Sequence, residues 1–535
     1  MPSTRVDRLW NTDVLEERGT TATATAAALT ASRWITTATS LLLSCLATAQ
    51  DAVPEPGDAT LVAQACSLCH SVPPPDILPR RSWRNVIQDM AVLNVRGVGV
   101  PPDHVAPPQS FDFERVASYF ENRAPQALPS PSPWPPAAGA PVDFQRESLG
   151  STGAELPASI ANVRLVQFDA NSGPKILASD MLSGLVLQGD PHKPATPFEV
   201  LGRASNPVHA EVVDLDLDGR KDVLIADIGN PVPSDHRLGA VILLRARQGG
   251  GYDTLSLASG LPRVADAQAG DFDGDGDLDV VVAAFGWRAV GGILLLENNT
   301  KDWSRPAFAE RVLDLRTGAI HVPVTDLDGD GRLDFVALIS QHHEAVVAFL
   351  GDGEGRFHQE IIDRAPHPAW GSSGLQLVDI DGDGDQDALV TNGDMLDDFQ
   401  LKPYHGIRWL ENRGSFPFTP HEIGPMFCVM RAQAGDLDGD GDIDIAATAL
   451  VTFKIDDGPT RTSPDIPSLL WLEQTASGHF ERHILEGGSQ HLSLDLGDYD
   501  GDGDTDILVA NSLSGTSAPV DVWQNMGGTE SSARP

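Results

Sequence analysis

From residue 142 onward the chain repeats one order of hydrophobic and polar positions. Runs of alternating polarity, such as Ala210-Glu211-Val212-Val213, lead into short clusters of Asp. Apolar β-branched runs follow at once, as in Val280-Val281-Val282 and Ile507-Leu508-Val509. A third apolar run ends on Glu or Glu-Asn at 293–298, 407–412 and 470–473. A fourth starts on an aromatic residue, as from Phe480 to Leu485 and, more loosely, from Phe308 to Val312. Alternation predicts a strand with one wet face, and an unbroken apolar run predicts a strand covered on both faces. The local unit is therefore a strand, an acidic loop and three further strands.

The Asp clusters begin at Asp214, Asp271, Asp326, Asp379, Asp436 and Asp498, at intervals of 57, 55, 53, 57 and 62 residues. A seventh, damaged copy runs over 168–173, with Asp169 as its first acid. Four short antiparallel strands per period predict a propeller blade, whereas solenoid repeats are usually shorter and carry one or two strands each. The last repeat reaches a third run at 520–525 and lacks a fourth, while Phe144 to Leu149 has the fourth-run pattern and no blade of its own. The early strand is predicted to complete the last blade and remove the free edges between first and last blades. Outer-strand starts then fall near Phe144, Phe198, Tyr252, Phe308, Phe357, Phe418 and Phe480. The expected fold is a small all-α domain followed by an all-β seven-bladed β-propeller over 142–526, with 527–535 a disordered tail.

The acidic clusters read D-x-D-x-D-G-x-x-D. Carboxylates at positions 1, 3 and 5 converge on one cation, Gly at 6 permits the sharp turn, the carbonyl at 7 adds an oxygen, and the acid at 9 closes the shell. The predicted ligands are Asp214, Asp216, Asp218 and Asp222, with the carbonyl of Arg220, in the first loop. Asp271, Asp273, Asp275 and Asp279 form the second set, and Asp326, Asp328, Asp330 and Asp334 the third. Asp379, Asp381, Asp383 and Asp387 form the fourth, Asp436, Asp438, Asp440 and Asp444 the fifth, and Asp498, Asp500, Asp502 and Asp506 the sixth. The net charge is −39, and the six loops hold 28 of the 76 acidic residues. So many carboxylates in small turns repel one another unless a cation joins them. About six calcium ions are expected, with none at the damaged copy. The same acidity argues against nucleic acid and anionic membrane surfaces as partners. Hydrophobic content of 41 % still allows an ordinary globular core.

The front of the chain has a different period. Residues 58–65 and 112–120 read as helices, the second with apolar residues at Phe113, Val116, Ala117 and Phe120. Between them Trp83, Val86, Ile87 and Met90 share one helical face. A Pro-rich spacer at 126–141 separates this module, 57–125, from the repeats. Cys66-Ser67-Leu68-Cys69-His70 is a CxxCH motif, whose two thiols can bond a haem covalently while His70 reaches the iron. A redox CxxC would want a thioredoxin-like βαβ context, and a zinc site would want a second ligand pair; neither is present. The module resembles a short class I cytochrome c. That resemblance implies heme c, first and last helices crossing beside it, and a distal Met, for which Met90 is the candidate. Met90 equally suits the apolar core of its helix face; His104 and an open sixth position are the other expectations. Arg80, Arg81 and Arg84 are placed either near the haem propionates or in solvent.

Residues 34–49 follow Arg33 and end in Ala47-Thr48-Ala49, which reads as a secretory signal within an N-terminal extension of 1–49. Leu42-Leu43-Ser44-Cys45 loosely fits a lipoprotein cleavage box. No other run approaches the ~20 apolar residues that span a bilayer, so no transmembrane helix is expected in the mature chain. Four cysteines, Cys45, Cys66, Cys69 and Cys428, form no disulfide framework. The expected location is periplasmic, secreted or cell-envelope, in a bacterium.

The Asp-loop repeats over 142–526 resemble the FG-GAP/VCBS repeat family, which includes the propeller of integrin α chains. The resemblance implies calcium-stabilised blades, an exported location and often ligand or matrix binding. Five residues before each first acid lie Arg164, His209, Asp266, His321, Gly374, Arg431 and Ser493, expected to face the central channel. Such a ring suits either a wet polar channel or an anionic sugar and acid–base chemistry. No G-x-S-x-G, HExxH or nucleotide loop occurs. Three functions follow. One is electron transfer to a redox partner protein through the haem, with the propeller as a docking scaffold. The second is a catalytic propeller, an oxidoreductase or carbohydrate-active enzyme, that reduces its own haem. The third is adhesion to an extracellular polysaccharide or matrix ligand.

Overall fold

The computed structural model describes residues 57–66, 71–96, 112–129, 139–169, 173–454, 458–512 and 518–528. The expected signal segment, Cys45, Cys69, His70 and His104 lie outside the described residues. Among the described residues, no helix is long and apolar enough to cross a membrane.

Seven antiparallel sheets of the predicted unit make up the propeller. In the third blade, for example, inner strand Val264–Gly270 pairs with Asp279–Ala284, then Gly292–Asn298, then outer strand Phe308–Asp314. Six second strands, from Asp222–Asp227 to Asp506–Asn511, are buried at every position. Alternate side chains of each one supply two different cores. Val280 and Val282 pack with Leu224 and Ala226 of the second blade, whereas Val281 and Ala283 pack with Phe335 and Ala337 of the fourth. This explains the unbroken apolar runs: a strand squeezed between two neighbouring blades has no polar face.

The ring closes as the outer-strand pattern predicts. Val142–Leu149 pairs antiparallel with Val520–Gly528 as outermost strand of the seventh blade. Leu149 is buried with Val520, Val522 and Leu508 against Ile160 and Leu187 of the first blade. Arg146 pairs with Asp521 and Glu486, each at 2.6 Å, so the closing strand ties the seventh blade to the sixth. The last strand runs through Gly528, two residues beyond the expected end of the domain, and Gly527 and Gly528 belong to the sheet rather than to a tail.

Among the described residues, three α-helices precede the ring: α1 (Asp58–Cys66), α2 (Arg80–Arg96) and α3 (Phe113–Glu121). Asp112 caps α3 by accepting the Arg115 backbone N–H. Val62, Cys66, Trp83, Ile87, Val116 and Phe120 form one core, in which Trp83 stacks on Phe120 at 4.1 Å between ring centres. Tyr404 and Ala369 of the propeller pack onto this core. The Tyr404 hydroxyl donates to the Ile77 carbonyl at 3.2 Å, and Arg288 pairs with Asp89 at 2.7 Å. Residues 288, 369 and 404 lie in loops that leave the ring on the side opposite the Asp loops. The helical module thus sits against one face of the ring and the acidic loops crowd the other.

Closure gives a direct test. Leu149→Ala is expected to lower stability by about 2–5 kcal/mol, measured by denaturant unfolding of the full chain. Leu156→Ala, at an exposed position, is expected to change it by about 0.5 kcal/mol or less.

Candidate metal centres and the central channel

The Asp loops are built alike. Their sixth-position glycines, Gly219, Gly276, Gly331, Gly384, Gly441 and Gly503, all have φ between 85° and 98°. A Cβ added at any of them would meet nothing within 4 Å, so the backbone conformation and not space requires glycine. That turn folds the loop over its first acid: in the second loop Asp271 accepts the N–H of Gly274 at 2.8 Å and of Gly276 at 3.2 Å. Carboxylate oxygens from positions 1 and 3, with 5 or 9, then lie within 4.8 Å of one another, as in Asp271, Asp273 and Asp275 or in Asp436, Asp438 and Asp444. A cluster of hard, anionic oxygens of this kind suits a calcium ion.

The ninth-position acid does more than the motif implies. Asp222, Asp279, Asp334, Asp387, Asp444 and Asp506 each open a second strand and are almost wholly buried. Each accepts a backbone N–H at 2.7–2.8 Å, from Ala246, Asn298, Gly351, Asn412, Gln474 and Asn525 in turn. Those donors lie at or near the end of the third strand. In five loops the other carboxylate oxygen accepts the N–H of loop position 2, as from Tyr499 to Asp506 at 2.7 Å. The acid therefore clamps loop, second strand and third strand together, and its remaining lone pairs face the other acids. Burial, with the neighbouring acids, pushes Asp222, Asp279, Asp387 and Asp506 up to about 6 and Asp444 to about 7, against the help of those backbone donors. The Glu-Asn ending of the third run now has a role as well: the Asn298, Asn412 and Asn525 side chains donate to the carbonyls of Leu278, Gln386 and Thr505 beside the clamp.

The six loops are not equivalent. Arg220 and Arg332 occupy position 7 in the first and third, and bond Asp218 and Asp330. Arg245 also binds Asp216. Leu217 adopts φ 55° at the fourth position, where the other five loops have glycine.

The damaged copy needs a correction. Val166 pairs with Lys175 as Val213 pairs with Asp222. The first-blade loop therefore has Gln167, Asp169, Asn171 and Lys175 at positions 1, 3, 5 and 9, and Asp169 is its third residue, not its first. A lysine stands where the other blades bury an acid, and its Nζ pairs with Asp190 at 3.1 Å.

The same shift moves Arg164. The first-blade equivalent of His209 is Asn162, and Arg164 lies level with Glu211, one step further along the inner strand. Channel side chains thus form two tiers. In the upper tier Asn162 accepts the Ala210 N–H at 3.4 Å and Asp266 accepts the Val322 N–H at 3.0 Å. In the lower tier Gln376 and Asp495 each accept at 2.7 Å, from the Ala434 and Leu165 N–H groups. Each bond runs from one blade to the next inner strand and satisfies an edge amide that has no sheet partner.

Asp266 lies between two imidazoles, 3.4 Å from His209 Nε2 and 3.8 Å from His321 Nδ1. Burial holds His209 down to about 4 and so keeps it neutral. Burial acts to raise Asp266 too, but the two histidines and the Val322 amide hold it well below the usual carboxylate range. Burial pushes Glu211 up to about 7. Arg431 Nη1 reaches across the glycine of the fifth blade, Gly374, to His321 Nε2 at 3.1 Å. Gly374 has no room for a side chain, since a Cβ would meet Thr391 Oγ1 at 2.6 Å.

Of the expected haem residues, Cys66 ends α1 and is buried against Trp83 and Phe120. Met90 is partly buried against the same core. Arg84 bonds Glu121 at 2.9 Å and Glu114 at 3.2 Å. Arg80 donates to the Ala124 carbonyl and Arg81 to Gln400.

Residues 271–337 and 326–390 match the FG-GAP-like repeat family, so the ring is a seven-bladed propeller carrying FG-GAP-like repeats. No curated protein matches the sequence. Among solved structures, the chain is similar to an Agrocybe aegerita lectin that recognises non-reducing terminal N-acetylglucosamine. Identity is 15 %, coverage 65 % of this chain and 90 % of that one, and the TM-score 0.40. It is also similar to virginiamycin B lyase from Staphylococcus aureus, with 12 % identity, 71 % and 99 % coverage and a TM-score of 0.43. BBS1N, solved in complex with ARL6DN, gives 11 % identity, 72 % and 96 % coverage and a TM-score of 0.40.

The raised acids set a pH signature. A buried carboxyl that prefers its neutral form supports the ion-free fold below its unfolded pKa and ceases to do so as pH rises through its folded one. Melting temperature in a chelator is therefore expected to fall between pH ~4 and ~7, while excess calcium, which favours the ionised form, offsets the fall. The gap between the two curves should widen with pH; a constant gap would contradict the assignment. Removing the clamp as well as the charge, Asp444→Ala is expected to cost about 3–5 kcal/mol even without calcium, measured by chelator-treated denaturant unfolding.

Proposed function

We propose that this is an exported c-type haem protein that transfers electrons, with a calcium-stabilised propeller as its docking scaffold. The observation that carries the reading is Cys66-x-x-Cys69-His70. The motif begins at the end of α1, where Cys66 is enclosed by aromatic and aliphatic side chains. That surrounding fits a haem, whose macrocycle needs an apolar wall and whose covalent links need thiols. Cys66 and Cys69 would hold the group, His70 would bind the iron from one side, and Met90 is the described candidate for the other. The group supplies reversible one-electron chemistry. The chain supplies the rest: a packed helical core that excludes water, and the Arg288–Asp89 and Tyr404–Ile77 contacts that orient the module on the ring. The apolar segment at 34–49 supports export, since covalent haem attachment and many calcium-rich modules belong outside the cytoplasm.

Purified protein from a host that matures c-type cytochromes is expected to retain its haem spectrum after acidic acetone extraction, and Cys66→Ala with Cys69→Ala to abolish it. Met90→Ala should keep the covalent haem and lower its midpoint potential if Met90 binds the iron. Extraction of all colour from the unmutated protein would defeat the proposal.

A further inference from the structure

The acidic loop of the second blade departs from the others at the oxygens a cation would use. In all six loops the acid at position 3 accepts the N–H of position 5 through Oδ1. The acid at position 5 accepts the N–H of position 7, also through Oδ1. The Oδ2 atoms of both acids remain. In the third blade those of Asp273 and Asp275 have no side-chain donor among the described residues. In the second blade both are taken. Arg245 Nε bonds Asp216 Oδ2 at 2.5 Å, and its Nη2 lies 3.5 Å from Asp218 Oδ2, which Arg220 also bonds. The Asp216 side chain is 1 % exposed, so the arginine and not water answers its charge.

Strand pairing puts Arg245 in register with Glu297, Leu350, Glu411, Glu473 and Gln524 of the later blades. Glu411 and Glu473 act on Asp381 and Asp438, the position 3 acids of their loops, as Arg245 acts on Asp216. This strand position therefore faces position 3, and of the six blades the second alone puts a cation there. Position 7 sharpens the contrast. It is Asp277, Asp385, Asp442 and Asp504 in four loops and Arg220 in this one, so two guanidinium groups meet four acids where those loops hold five acids each. In the fourth blade Arg332 reaches Asp330, but Leu350 offers Asp328 no donor.

We propose that Arg245, with Arg220, takes the place of a calcium ion in the second blade, and that this loop stays metal-free while the others fill. A divalent ion would have to displace a guanidinium from a buried carboxylate, and the loss of that pair offsets what the ion gains. The acidic turn of the second blade is then held without calcium. The inference rests on the calcium reading of the remaining loops.

Calcium bound per full chain, measured by equilibrium dialysis and elemental mass spectrometry at saturating free calcium, tests it. Asp273→Asn is expected to lose one ion and Asp216→Asn none. Arg245→Gln is expected to gain one, and adding Asp216→Asn to it should remove that ion again. Melting temperatures identify any variant that fails to fold; if Arg245→Gln is among them, the two asparagine variants decide. Loss of an ion from Asp216→Asn overturns the inference, as does an unchanged count in folded Arg245→Gln. An unmutated chain that binds no calcium overturns the reading of every loop and this inference with it, a result distinct from both.

Discussion

Six aspartates at the heads of six second strands hold the architecture to its chemistry. Each is removed from water, each takes a backbone N–H from the third strand, and each faces other carboxylates across a turn of nine residues. A charge in such a place is tolerated only with a compensating partner. Backbone donors supply part of that compensation and a divalent ion would supply the remainder. The first blade shows the alternative, because Lys175 occupies the equivalent position and carries the positive charge covalently. The same strand-head position thus carries a buried acid in six blades and an ammonium group in the first.

The inner rim poses a different problem. The inner strands of the seven blades present amide edges to the central channel. Side chains from the preceding blade cap several of them, at 2.7–3.4 Å, in a pattern that advances one blade at a time and crosses the closure through Asp495 and Leu165. Capping needs acceptors, which accounts for the Asn, Asp and Gln along the rim. Arginine has no acceptor atom, so Arg164 and Arg431 serve no part of this scheme.

Period and spacing in the sequence revealed the blades, the closing strand and the acidic loops because each repeats six or seven times along one chain. What repeats could not reveal is register where the repeat is broken. Aligning the damaged loop on its first acid misplaces it by two residues, since only strand pairing shows Gln167 at the first position and Lys175 at the ninth. The channel residue of the first blade shifts with it, from Arg164 to Asn162. The second role of the ninth acid was equally hidden, because a hydrogen bond to the end of a distant strand leaves no local trace. The Glu-Asn endings were visible, yet their partner carbonyls lie about 20 residues away. Arg84 illustrates the reverse: its charge was plain, and its commitment to Glu114 and Glu121 was not.

The closing strand also imposes an order on folding. Blades one to six are each made from one continuous stretch, so their strands meet soon after they exist. Ser148 and Asp521 are 373 residues apart and join only when every intervening blade has turned the chain through a full circle. Loop-closure entropy makes this separation cost only about 3 kcal/mol more than a hairpin at equilibrium, since the penalty grows with the logarithm of length. Kinetically it is far more demanding. Until the last sheet is made, Val142–Leu149 is a solitary strand, and its apolar side chains have no other native place to go. The latch can be made only once the chain through Gly528 is present to receive it.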